Sequence, residues 1–185
     1  MPNVFPDIYP AVWEPSWEAY QERDEARDGF LQLNSYDPVD QVSAHAGWST
    51  LSRAERDQIK AHRDANKDRS FTLFDFHSAT PAAVYVATGN GVATAFTLPA
   101  KAVAGLTVTV NGAPVAVVLA AGAGTDGADR ITFAAPPAAG AIIRFSATEA
   151  RMRYELLYKV GTFAWRHVEA DIWSIETDFI QEVAA

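Results

Sequence analysis

Residues 106–119 read LTVTVNGAPVAVVL, two runs of apolar and β-branched residues on either side of an Asn-Gly pair. Asn and Gly tolerate the positive φ angles of a tight turn, and β-branched residues favour strands. Residues 106–110 and 114–119 are therefore predicted to be the two strands of a β-hairpin around Asn111 and Gly112.

Similar patterns surround this hairpin. Residues 84–87 and 93–98 flank Gly89-Asn90-Gly91, and residues 131–134 and 141–147 flank Pro136-Pro137 and Gly140. The first of these pairs is predicted to be a second hairpin, since Gly and Asn again occupy the turn. Together the runs predict a compact sandwich or barrel of about six strands.

Composition sets this central stretch apart from the rest of the chain. Ala, Gly, Val, Thr and Pro dominate residues 79–148, whose only charged residues are Lys101, Asp126, Asp129, Arg130 and Arg144. Both flanks are instead rich in Trp, Tyr, Asp, Glu and Arg. We therefore expect one discontinuous outer β domain made of residues 1–78 and 149–185, with residues 79–148 inserted as a small β domain.

The outer domain is predicted to be mainly β, because apolar and polar residues alternate along several of its segments. The predicted strands cover residues 12–20, 29–33, 38–46, 70–76, 151–158 and 168–183. Residues 70–76 are apolar enough to be buried on both faces, whereas residues 151–158 have one polar face.

One α-helix is predicted, over residues 53–67. Ser52 is suited to be its N-cap, and Glu55 three residues later completes a capping box in which each side chain bonds the other's backbone amide. Ile59 is the sole large apolar residue of this helix, so we expect the helix to lie across one face of a sheet.

Bulk properties restrict the classes of function. The formal net charge is −8 and the pI is about 4.9, which argues against a protein that grips nucleic-acid phosphates. Cysteine is absent, so disulfides and thiolate sites are excluded. Neither a membrane span nor a secretory leader is expected from the hydropathy pattern.

The titratable residues indicate no catalytic site. His45, His62, His77 and His167 are scattered, without the close spacing of metal ligands, and His62 is expected to be solvated or to cap its helix. Two pairs of carboxylates are predicted to be solvent-exposed residues on strands: Glu14 with Glu18, and Glu176 with Asp178. We therefore expect no catalytic residue, metal or cofactor; a lytic hydrolase remains a third alternative.

Aromatic residues offer a different kind of site. Four tryptophans of the predicted outer domain are candidates to pack a core or to bury a subunit interface: Trp13, Trp17, Trp165 and Trp173. Aromatic rings also stack on sugars, so a host-adhesion or glycan-binding β-sandwich is the alternative interpretation.

Several of these motifs resemble virion proteins of tailed bacteriophages. The central motifs GNG (89–91), TAFTLP (94–99), VTVNG (108–112) and ITFAAPP (131–137) are similar to a small β module that recurs in such proteins. The flanking motifs LSRAER (51–56), FTLFDF (71–76) and QEV (181–183) resemble the distal tail or tail hub proteins of long-tailed phages and gene transfer agents.

The resemblance implies a structural virion protein. It implies a tail-tube-like β-sandwich belt domain that forms a ring, usually hexameric, between the tail tube and the baseplate or tail tip. The expected partners are further copies of the chain, the tail tube protein and other tail-tip proteins. DNA would pass through the lumen without specific binding, and the protein would be made in the host cytoplasm before it enters the virion.

Overall fold

The computed structural model describes residues 4–19, 22–25, 31–34, 40–159, 161–169 and 171–181. Side chains are described for residues 4–14, 43–159, 161–169 and 171–180. Within these residues the fold is mainly β, with several antiparallel sheets and one α-helix, which confirms the predicted class. No sheet in the described part closes into a barrel.

The strands follow one another closely along the chain. In chain order they are β1 (Val12–Ala19), β2 (Glu22–Glu25), β3 (Leu31–Asn34), β4 (Asp40–Leu51), β5 (Phe71–Phe74), β6 (Val84–Thr88), β7 (Ala95–Thr97), β8 (Ala100–Ala104), β9 (Thr107–Val110), β10 (Ala113–Val115), β11 (Val117–Ala120), β12 (Arg130–Phe133), β13 (Ile142–Ser146), β14 (Glu149–Tyr158), β15 (Ala164–Glu169) and β16 (Ile172–Gln181). The helix α1 (Arg53–Asn66) lies between β4 and β5.

The chain divides into two compact units. The first contains Pro6–Phe71 and Glu155–Ala185, and the second contains Thr72–Tyr154 with a short N-terminal piece. The residues 72–78 and 149–154, assigned from the sequence to the outer domain, thus group with the central segment. The start of β14 pairs with β8, which explains this difference. The description of the first unit as a tube-like belt stays a prediction.

The first unit is built on an antiparallel sheet in which β4 lies between β1 and β16. Residue 46 of β4 is opposite Trp13 on one side and Thr177 on the other. The strand predicted over residues 12–20 is confirmed over Val12–Ala19 as β1, and position 20 lies outside the described residues. The strand predicted over residues 38–46 begins in the described chain at Asp40, while positions 29, 30, 38 and 39 lie outside the described residues.

The predicted closing strand over residues 168–183 is wrong in its first part. The chain forms a hairpin there, with β15 antiparallel to β16 and Trp165 opposite Ile175. The alternation predicted for β16 itself holds, since Ile175, Thr177 and Phe179 are buried and Glu176 is exposed. The distal end, residues 182–185, lies outside the described chain.

The helix has the predicted capping box. The Glu55 amide donates to Ser52 Oγ at 3.3 Å, and the Ser52 amide donates to Glu55 Oε2 at 2.9 Å. The Ser52 hydroxyl and the Ser52 amide both donate to the Glu55 carboxylate, and these two hydrogen bonds lower the pKa of Glu55. Ile59 is fully buried, as expected for the one large apolar residue of a helix that packs on a sheet.

Aromatic rings fill the core of the first unit. The Phe71 ring lies 4.8 Å from the Tyr158 ring and 5.7 Å from the Phe179 ring, measured between centroids. Trp13 packs 6.3 Å from Phe179 on the same buried face. Four-residue β5 is buried throughout, which confirms the prediction of a strand covered on both faces.

The second unit contains two small antiparallel sheets, with strand orders β10-β9-β13-β6 and β11-β12-β7. Apolar residues of both sheets belong to one buried cluster, which includes Val108, Ile131, Phe133, Ile143 and Phe145. Strand β8, which the sequence did not predict, adds Ala100 and Val103 to this cluster.

The turn predicted at Asn111 and Gly112 is confirmed, with φ angles of 51° and 84° at these residues and β9 paired with β10 across it. The second strand predicted over residues 114–119 is wrong as a single strand, because the chain divides there into β10 and β11, which belong to different sheets. The hairpin predicted at Gly89-Asn90-Gly91 is wrong, because β6 and β7 belong to different sheets. The loop instead bonds to another loop: the Gly89 amide donates to the Ala141 carbonyl at 2.7 Å. A Cβ at Gly89 would lie 2.5 Å from the Ala138 carbonyl oxygen, so this close approach requires glycine.

Candidate functional site

Strand β15 forms an open edge of the first unit. Within the described residues it pairs only with β16, and all six of its side chains are exposed. An unpaired strand edge presents free backbone donors and acceptors to a partner. Exposed edges of this kind are usually blunted or covered in stable proteins, which makes β15 a candidate contact surface.

Apolar and aromatic side chains surround this edge. We define the hairpin patch as Trp165, His167, Val168, Ile172 and Trp173. Trp165 is 56% exposed and Val168 is 54% exposed. Large exposed apolar side chains that gather in one place mark interaction sites more often than scattered ones do.

The rings of the hairpin patch are packed against each other. The strand register places His167 opposite Trp173, and their rings lie 4.5 Å apart between centroids. The rings of Trp165 and Trp173 are 5.4 Å apart. Packed rings lose little further conformational freedom on binding, which suits a contact surface.

A cation from the helix completes the patch. The Arg56 guanidinium carbon lies 4.1 Å from the centre of the Trp173 ring, a cation–π contact. Arg56 Nε also donates to Asp57 Oδ1 at 2.9 Å, so the guanidinium is held in place from two sides.

An open cavity of about 100 Å³ lies between the helix and the hairpin patch. Its lining combines two cations with apolar side chains: Arg56, Lys60, Phe163, Trp165 and Ile175. The cation Arg63 lies over the Phe163 ring at 5.2 Å. The cavity therefore has the chemistry to receive a small anionic group.

The four candidate tryptophans occupy different environments. Trp13 is buried in the core of the first unit, and Trp165 and Trp173 meet in the hairpin patch. Trp17 lies in β1 opposite residue 42, but its side chain is outside the described set.

The expectation that His62 is solvated or caps the helix is wrong. His62 is 7% exposed, and its Nδ1 lies 3.0 Å from the Tyr158 hydroxyl. Burial lowers the pKa of His62 to about 4, and burial also raises the pKa of Tyr158. The sequence did not reveal this because charged residues surround His62 along the helix.

The other histidines lie apart. His45 Nδ1 is 2.7 Å from Asp178 Oδ1 across neighbouring strands, His77 is exposed, and His167 belongs to the hairpin patch. Among the described side chains, no group of three His, Asp or Glu residues is placed to hold a metal ion.

Of the carboxylates considered for hydrolysis, Glu14 and Asp178 each lie opposite His45 in the strand register, and all three residues line one cavity. Glu14 and Glu176 are exposed strand residues, and Asp178 is bonded to His45. The side chain of Glu18 is outside the described residues. In the second unit Asp129 has a structural role, because its carboxylate accepts from the amides of Val103 and Gly122 at 2.9 and 2.8 Å.

Comparison of the chain with protein family models and with curated proteins gives no match. Within the described residues, no helix is long and apolar enough to cross a membrane.

Proposed function

We propose that the chain is a structural virion protein of a phage tail, a ring-forming distal tail or hub subunit between the tail tube and the baseplate or tail tip. The first unit would serve as a tube-like β-sandwich belt domain. The second unit would be a small β-sandwich or barrel that contacts neighbouring tail proteins or the host.

The hairpin patch beside the open edge of β15 carries this proposal. A further chain that covers the patch would add a strand beside β15 and remove Trp165, Val168 and Ile172 from water. When one surface of each copy contacts a different surface of the next copy, the copies can form a chain or a ring. The ring closes when the rotation between neighbouring copies is a whole fraction of a full turn.

The charge of the chain supports the same proposal. The 23 acidic residues outnumber the 15 Lys and Arg residues, which gives the net charge of −8. A ring of such subunits would repel DNA phosphates, so DNA would pass through its lumen without sticking. The sequence motifs described above are the reason to place such a ring in a phage tail.

Native mass spectrometry of the purified chain, with negative-stain imaging of the same sample, tests the proposal. We expect a closed ring, with six copies as the favoured number. Because assembly depends on protein concentration, the measurement should cover a dilution series and include co-expression with the adjacent genes' products. A chain that forms no ring in any of these samples contradicts the proposal.

A host-adhesion or glycan-binding module is the second candidate, because Trp165 presents an exposed ring on which a sugar can stack. It predicts that a monomer is retained on specific sugars of a glycan array and that Trp165→Ala abolishes retention. The ring proposal predicts no such retention.

A further inference from the structure

Basic side chains form a stripe along α1. They recur at intervals of three and four residues, which places them on one side of the helix. The stripe consists of Arg53, Arg56, Lys60 and Arg63 within α1 and of Lys67, the C-cap residue that follows it. It is a local exception in a chain with an excess of carboxylates.

Four of the five cations have a carboxylate partner within 4 Å. The pairs are Arg53 with Asp171, Arg56 with Asp57, Arg63 with Asp64, and Lys67 with Asp68. Lys60 makes no ion pair with any described residue, and it is the cation that lines the cavity together with Arg56. The positive charge left without a partner is thus located at the cavity.

The cavity sets the size of what can bind there. Its volume of about 100 Å³ is enough for several water molecules, so a small polar group can enter it. A carboxylate on a short methylene stem is small enough to do so, and the rings of Phe163 and Trp165 offer apolar surface to the stem. An Asp or Glu side chain fits both the charge and the volume.

We propose that this cavity receives an acidic side chain from a second copy of the chain, with Lys60 as its counter-ion. The inference rests on the proposed ring and specifies the chemistry of one of its contacts. Copies with a charge of −8 repel one another unless cations of one copy meet carboxylates of the next. Lys60 is such a cation, next to the exposed hairpin patch.

Zero-length cross-linking tests this contact directly. A carbodiimide joins a lysine amine to a carboxylate only where the two are in contact. An equal mixture of unlabelled and ¹⁵N-labelled full-length chain distinguishes links between copies from links within one. We expect mass spectrometry to find mixed-isotope peptides that join Lys60 to an Asp or Glu.

Matched variants test the energetic role of Lys60. Lys60→Gln should weaken self-association about tenfold in low salt, as for an ion pair contributing about 1.4 kcal/mol. Lys67→Gln makes the same charge change on the same helix, at a lysine paired with Asp68, and should change association less than about twofold. Sedimentation velocity at low and high salt gives both values, and the thermal melts of both variants should match the parent chain.

The outcomes separate this inference from the proposed ring. A ring in which Lys60 is not cross-linked and Lys60→Gln associates normally overturns the inference and leaves the ring intact. A chain that never associates with itself overturns the inference. Imaging of the co-expressed proteins then tests separately whether a ring forms with those partners. Binding of a fluorescent thymidine 30-mer that Lys60→Gln abolishes would assign the cavity to nucleic-acid phosphate and also overturn the inference.

Discussion

Trp165 is highly exposed, and it belongs to β15, a strand that pairs with only one other strand among the described residues. Its ring packs on Trp173, so its removal should leave the core of the first unit, centred on Phe71 and Phe179, undisturbed. Because Trp165 is largely exposed, we expect its contribution to association to exceed its contribution to folding.

We therefore expect Trp165→Ala to shift the assembled protein towards monomer, because it removes the anchor of the hairpin patch. Tyr85→Ala is the matched control, since Tyr85 is an exposed aromatic residue of the second unit. Sedimentation velocity should show a loss of at least about tenfold in association for Trp165→Ala, equal to about 1.4 kcal/mol. Equal effects of the two variants would contradict the role of the hairpin patch.

His62 predicts a pH dependence of stability. Its pKa is about 4 in the folded chain, against an ordinary 6.5. Between these values the unfolded chain binds a proton that the folded chain excludes, so the free energy of unfolding falls as the pH drops from 6.5 towards 4. The two pKa values limit this loss to about 3 kcal/mol.

Urea unfolding between pH 7 and pH 4.5 measures this effect, with His62→Gln as the comparison because Gln does not titrate in this range. The difference in stability between the parent chain and His62→Gln should shrink as the pH falls. Parallel pH profiles for the two proteins would show that His62 is not responsible.

At the scale of elements, α1 depends on its N-cap. Ser52→Ala removes the hydroxyl that accepts from the Glu55 amide, so we expect a loss of about 1 kcal/mol in the free energy of unfolding. Ser52→Gly should cost only a few tenths of a kcal/mol, because Gly is itself tolerated at this position. Urea denaturation of both variants checks this order, and a reversed order would refute it.

Local elements were predictable where a few neighbouring residues determine the backbone. Asn111 and Gly112 supply the two positive φ angles of their turn, and Ser52 and Glu55 cap each other's backbone amides, so neighbouring residues set the backbone in both cases. The turn between β15 and β16 was missed because residues 168–172 read VEADI, with neither Gly nor Pro to interrupt the alternation. The hairpin predicted at Gly89 was wrong because this glycine is needed for a different reason. It allows the backbone to lie close to another loop, and it does not form a hairpin turn.

The candidate site was predictable only in part. Trp165 and Trp173 were candidates from their alternation, but their ring contact depends on the missed turn. Lys60 and Arg56 join the site through the packing of α1 on the sheet, which is a long-range feature that no local motif encodes.

At the scale of the whole molecule, the central segment should be removable. Ala79 and Ala150 exchange backbone hydrogen bonds at 2.8 and 2.9 Å, so the ends of the segment lie side by side. Deletion of residues 80–147 with a short Gly-Ser link should leave the first unit folded, because Phe71, Tyr158 and Phe179 all remain.

Circular dichroism of this deletion variant should show one cooperative thermal transition. The variant also loses β8, the partner of the start of β14, so a lower midpoint than that of the parent chain is expected. A gradual, non-cooperative melt would contradict the independence of the first unit.

The position of β16 in its sheet has a consequence for synthesis on the ribosome. This strand lies beside β4 and is also the pairing partner of β15 and the end of β14, yet it is translated after all three of them. Thr72–Tyr154 can begin to fold while translation continues, whereas β1 and β4 must wait for residues 172–181. Premature termination before β16 should therefore yield a nascent product with a native second unit and an unfinished first one.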